Sequence, residues 1–180
     1  MKFLARLIFW ISGWKIVANN AYKVKKMVMI AAQHTSNWDL LYARAAFYLM
    51  EIPVNYTVKK ELLFFQLGFI LKSLGGIPID RKAKGNMVDK MAALYDDYDN
   101  FAIMITQEGT RSYSPEWKKG FYYIAQKANV PIALGYLDYA KKEAGVGPLI
   151  TPTGDYEKDL ETIQSFYRKA TPKYPEQGVR

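Results

Sequence analysis

The sequence predicts an α/β protein: a mixed, largely parallel sheet flanked by helices, with an N-terminal amphipathic helix at a membrane surface. Short apolar runs at residues 28–32, 54–58, 77–81, 101–106 and 130–134 alternate with longer segments of helical periodicity, the pattern of strands joined by helical crossovers. Polar clusters sit at the ends of three of those runs, at residues 34–39, 80–81 and 108–112. In such a sheet the carboxyl ends of parallel strands gather along one edge, where sites form. The opening segment supplies the third observation. Phe3, Leu4, Leu7, Ile8, Ile11 and Trp14 recur at helical spacing, with Lys2, Arg6 and Lys15 on the flanks and Trp10 as a further interfacial ring.

In chain order, residues 1–18 read as the surface helix and residues 19–180 as a single domain; a core-packing first helix is the alternative for the opening segment. A turn around Asn19 and Asn20 leads to the first strand, and a helix follows over residues 38–50 until Ile52 and Pro53 end it. After the second strand, residues 62–74 are helical by length and rich in Phe and Leu, either a buried helix or the wall of an acyl-chain groove. Gly75 and Gly76 break that helix before the third strand. Met87, Met91, Leu94, Tyr95 and Tyr98 mark one helical face within residues 86–98. A further helix runs through Lys127. Beyond the strand at residues 130–134, a closing hairpin with its turn at residues 144–147 and a polar final helix over residues 155–169 complete the chain.

Composition narrows the function. The chain has 180 residues and a net charge of +8, with no cysteine and one histidine. Disulfides, thiolate metal sites and a cysteine nucleophile are excluded, and a histidine-built metal site is disfavoured. The charge suits an anionic partner such as a phosphate-bearing substrate or an acidic membrane surface. Nucleic acid is a poor fit, because the basic residues are dispersed and no binding motif is present.

His34, the single histidine, sits where a strand hands over to a helix, with Asp39 in the first turn of that helix. A turn between them lets the carboxylate reach back to the imidazole. That gives a base, a group that orients it, and helix N-terminal amides for developing negative charge. Ser36 or Asn37 can cap the helix. The bland alternative is a capping histidine beside a helix-start aspartate. Arg81 and Arg111, at two other strand ends, can converge as a phosphate clamp, and Gly109 lets backbone amides approach an anion.

The order of these blocks is specific. The H-x-x-x-x-D spacing of His34 and Asp39, G-G-I-P-I-D-R ending at Arg81, E-G-T-R-S from Glu108, and V-P-I from Val130 resemble the glycerophospholipid acyltransferase family, whose best-known members are 1-acylglycerol-3-phosphate (lysophosphatidate) acyltransferases. The resemblance covers about residues 20–135. It implies that His34 takes the proton from an acceptor hydroxyl and that Asp39 orients it. Lys59, Arg81, Glu108, Gly109, Thr110 and Arg111 are then the substrate-binding group around the acceptor's glycerol phosphate. It also implies an acyl-CoA or acyl carrier protein thioester as co-substrate, with no bound cofactor and no metal, and a lysophospholipid as acceptor. An anionic membrane contact at the cytoplasmic face, peripheral or monotopic, follows from the same reading. Another lyso-lipid, such as an aminoacyl lipid, is the alternative acceptor, and a non-catalytic lipid-binding protein the alternative to an enzyme. The short chain, the single hydrophobic N-terminal helix and the segment after Tyr136 depart from the well-known members.

Overall fold

The apolar run around Val28 forms the centre of a seven-stranded sheet. The computed structural model describes residues 1–17, 24–59, 65–73, 75–79, 86–108 and 113–179. In chain order the described elements are α1 (Lys2–Ser12), β1 (Lys15–Val17), β2 (Lys26–Ala31), α2 (Trp38–Met50), β3 (Val54–Lys59), α3 (Phe65–Ser73), β4 (Gly76–Ile79), α4 (Met87–Ala93), β5 (Phe101–Ile105), α5 (Gly120–Lys127), β6 (Ile132–Asp138), β7 (Glu143–Ile150) and α6 (Tyr156–Tyr167). Across the sheet the strands lie in the order β1-β7-β6-β2-β5-β3-β4. Neighbours from β6 to β4 are all parallel, β7 is antiparallel to β6, and β1 is parallel to β7. The expected mixed, largely parallel sheet is therefore the one observed.

Alternation along the central strands builds two cores at once. Val28, Ile30, Phe101, Ile103, Ile132 and Leu134 face one side, where they meet Met91, Phe121, Ile124 and Tyr167 from α4, α5 and α6. Met27, Met29, Ala102, Ala133 and Val146 face the other, against Phe47 of α2. Beyond α2, Ala5 and Phe9 of α1 pack with Ala45 and Ala46. Small residues at that contact let the two helices lie close.

The structure corrects three expectations. The opening helix does not run to residue 18. It stops at Gly13, whose left-handed φ of 72° lets the backbone turn back on Phe9 and Trp10, and residues 15–17 join the sheet as β1. Trp14 leaves the apolar face of the helix and is buried, stacked on Tyr42 with ring centroids 4.5 Å apart. The closing turn is not at residues 144–147, which lie within β7; the chain reverses between Asp138 and Glu143. Gly145 and Gly147 serve packing instead. A Cβ on Gly145 would stand 2.9 Å from the Val17 carbonyl oxygen, and one on Gly147 would stand 2.2 Å from the Phe166 ring. The expected turn at Asn19 and Asn20 lies outside the described residues. No described helix is long and apolar enough to cross a membrane.

Candidate active site

The carboxyl end of β2 delivers His34 through a tight backbone turn. Gln33 takes a left-handed φ of 61°, unfavourable for a residue other than glycine. Its neighbours over-determine it. The amides of Gln33 and His34 donate to the two carboxylate oxygens of Glu108, each at 3.1 Å, and the Gln33 side chain donates to the carbonyls of Tyr167 and Ala170 just past α6. Glu108 follows β5, the neighbour of β2, so sheet pairing alone brings it here.

From that turn the ring of His34 meets Asp39, with Nδ1 3.1 Å from Oδ2. The same oxygen accepts the amides of Thr35 at 2.9 Å and Ser36 at 2.8 Å, while Oδ1 accepts the Tyr139 hydroxyl at 2.5 Å. Donation of Nδ1–H to the carboxylate sets the tautomer and leaves Nε2 as the basic nitrogen of the ring. Burial pushes the Asp39 carboxyl up, but the hydrogen bonds from His34, Tyr139 and Ser36 outweigh it and hold it below its ordinary value. Asp39 is therefore the anion of the pair. Glu108 behaves oppositely: burial lifts its carboxyl, and the Gln33 and His34 amides offset only part of that.

His34 and Asp39 border a cavity of about 160 Å³ between α2 and the sheet, walled by Leu40, Ala43, Phe47, Met50, Met104 and Leu137. The α2 members recur at i, i+3, i+7 and i+10, one face of the helix.

Several expected residues fall elsewhere or take other work. The Thr35 and Ser36 amides, just before α2, both donate to Asp39. Ser36 accepts the Trp38 amide at 3.2 Å, and Asn37 at the N-cap makes no side-chain capping bond. Glu108, grouped by sequence with the substrate-binding residues, accepts the backbone amides of Gln33 and His34. Lys59 is the last residue of β3. Arg81, Gly109, Thr110 and Arg111 lie outside the described residues. The segment at residues 62–74, expected as a buried helix or the wall of an acyl-chain groove, is described at residues 65–73, where α3 packs on β4. Tyr139 and Gln33 had no sequence signal; the cavity wall had one, in the spacing of Leu40, Ala43, Phe47 and Met50.

This is an α/β fold in which a largely parallel sheet carries a carboxylate-held histidine at a strand end, with an apolar cavity beside it. The chain belongs to the Acyltransferase family, whose model matches residues 15–133 and so takes in His34, Asp39 and Glu108. It is 32% identical over 157 residues to a probable 1-acyl-sn-glycerol-3-phosphate acyltransferase of Mycoplasma pneumoniae, covering 77% of this chain and 58% of that protein. A probable 1-acyl-sn-glycerol-3-phosphate acyltransferase of Mycoplasma genitalium is likewise 32% identical, over 79% of this chain and 59% of that protein. The chain thus spans under two thirds of the length of these relatives. In fold it is similar to the crystal structure of the 1-acyl-sn-glycerophosphate (LPA) acyltransferase PlsC from Thermotoga maritima, with a TM-score of 0.63 and 16% identity, over 93% of this chain and 75% of that one.

Proposed function

We propose that this chain moves a fatty acyl group from a thioester to the hydroxyl of a lysophospholipid, with 1-acylglycerol-3-phosphate as the acceptor. The observation that carries the reading is a base held by an anion beside an apolar cavity: His34 on Asp39, next to a wall of Leu40, Phe47 and Met50. Nε2 takes the hydroxyl proton as the acceptor oxygen attacks the thioester carbonyl. The carbon–sulfur bond then breaks, and the proton passes to the departing thiol. The apolar wall suits a hydrocarbon chain. The family and the names of both Mycoplasma relatives support the acceptor, and the resemblance of the G-G-I-P-I-D-R and E-G-T-R-S blocks supports Arg81, Gly109, Thr110 and Arg111 as holders of its phosphate, with Lys59 matching a family lysine near the same pocket. Glu108 we assign to shaping the His34 turn, since a carboxylate would repel a phosphate. The donor is acyl-CoA or acyl-acyl carrier protein, and the reaction takes place at the cytoplasmic face of a membrane.

Mass spectrometry of lipids after incubation with 1-acylglycerol-3-phosphate and each donor in turn tests this. The diacyl product is expected with at least one donor, and His34→Ala should lower kcat by roughly 10²–10⁴. Absence of product with both donors, or a variant within about tenfold of wild type, contradicts the proposal.

A further inference from the structure

We propose that Tyr139 is a positioning residue for the dyad, its hydroxyl fixing Asp39 Oδ1 so that Oδ2 is reserved for the His34 ring. This rests on the acyl-transfer reading for its kinetic arm only. The geometry is asymmetric in a useful way. Oδ2 has the ring and two backbone amides, whereas among the described residues Tyr139 is the donor to Oδ1, and Asp39 is buried. Without that hydroxyl a buried carboxylate oxygen loses its partner. The carboxylate plane is then free to turn so that the Thr35 and Ser36 amides are shared between its two oxygens, which weakens the bond to the imidazole.

Tyr139 is itself held from several sides. Its amide donates to the Thr171 carbonyl at 2.8 Å, and its ring stands edge-on to Trp14, with centroids 5.0 Å apart and planes at 89°. Burial and the bond to Asp39 both push the phenol up, so it stays a donor wherever the enzyme works. The same C-terminal stretch reaches the site again, where the Tyr174 amide donates to Thr35 Oγ1 at 3.3 Å. All of these C-terminal groups lie beyond residue 133, where the family match ends. The segment after Tyr136 therefore has a task at the site: it supplies the third member of a His34–Asp39–Tyr139 chain.

Tyr139→Phe keeps the ring and removes the hydroxyl. Its kcat should fall about tenfold, the low end for a hydrogen bond to a charged group, with the KM values of both substrates within about twofold of wild type. In an Asp39→Asn background the same change should cost nothing further, because the two act as one unit. A loss that simply adds to that of Asp39→Asn would mark a general structural role and overturn the proposal. A second arm needs no substrate. The chain has one histidine, so the carboxylate-bound Nδ1–H proton can be followed by NMR without ambiguity, and in Tyr139→Phe it should move upfield. An unchanged resonance together with an unchanged kcat overturns the proposal while leaving acyl transfer intact. If wild type transfers no acyl group, the resonance alone decides. Should Tyr139→Phe fail to fold, the wild-type protein should still show a far-downfield phenolic proton that disappears in Asp39→Asn; its absence from wild type overturns the assignment.

Discussion

Glu108 and Asp39 show how two carboxylates that both hold His34 can take opposite electrostatic roles. Asp39, lowered, contributes stability that is present above its unfolded value of about 3.9 and is lost as the pH falls through the folded value. Glu108, raised, favours the fold when protonated, and ionising it costs stability as the pH rises from about 4.3 through its folded value. The stability advantage of wild type over Asp39→Asn, followed by urea unfolding, should therefore shrink below about pH 4; a constant gap would mean the lowered carboxyl is not the source. Glu108→Gln separates shaping the turn from binding substrate. The side-chain amide can accept only one of the Gln33 and His34 N–H groups, so stability should drop by about 1–3 kcal/mol. The variant's kcat should fall more than the acceptor KM rises. A rise in KM alone would return Glu108 to the substrate.

At the scale of elements, α6 reaches the site through the backbone it holds. Tyr167, fully buried, places its hydroxyl 3.1 Å from the Ile30 carbonyl and 3.0 Å from that of Gly135, while its own carbonyl accepts the Gln33 side chain. The start of α6 is pinned by Asp159, which accepts the Tyr122 hydroxyl at 2.8 Å and the Thr153 amide at 2.7 Å. Asp159→Ala leaves both donors without that acceptor and should cost about 2–4 kcal/mol in urea unfolding, more than a surface carboxylate would. A loss under about 0.5 kcal/mol would show that α6 is not anchored there. None of this tethering was legible in the sequence, because long-range bonds to backbone carbonyls leave no periodic trace. What was legible followed local rules. Pro53 after an apolar helical face set the end of α2, and runs such as residues 28–32 marked strands buried on both faces. Gly145 and Gly147 misled because a glycine that makes room for Phe166 looks like one that makes a turn. The His34–Asp39 pair could be read from spacing and strand position, but its partner Tyr139 lies a hundred residues away.

For the whole molecule, α1 and α2 carry most of the strongly exposed apolar side chains described, with Phe69 of α3 a further one. Phe3, Leu4, Trp10 and Ile11 of α1 are 53–80% exposed, and Trp38 and Leu40 of α2 are 54% and 63% exposed. Because α1 packs on α2, the proposed membrane contact would include the start of α2, beside the His34 cavity. The charges expected to assist are partly spoken for: Lys2 pairs with Glu51, and Lys15 with Glu143 at 3.1 Å. Apolar insertion should then dominate, at about 1.5–3 kcal/mol for each fully buried side chain. The net charge of +8 supplies a longer-range attraction that salt screens. Deleting residues 1–17 is a poor test, since it removes Trp14 and β1 from the packed structure. Replacing Phe3, Trp10 and Ile11 together with Ser spares Ala5 and Phe9, which hold α1 in place, so the melting temperature should hardly move. The triple variant should release from anionic vesicles, and the binding that remains should disappear between about 0.05 and 0.5 M salt as the Debye length shortens. Activity on a short-chain, water-soluble acceptor should persist, because the His34 turn and the cavity wall are untouched. Vesicle binding equal to wild type at high salt would place the membrane contact on another face of the molecule.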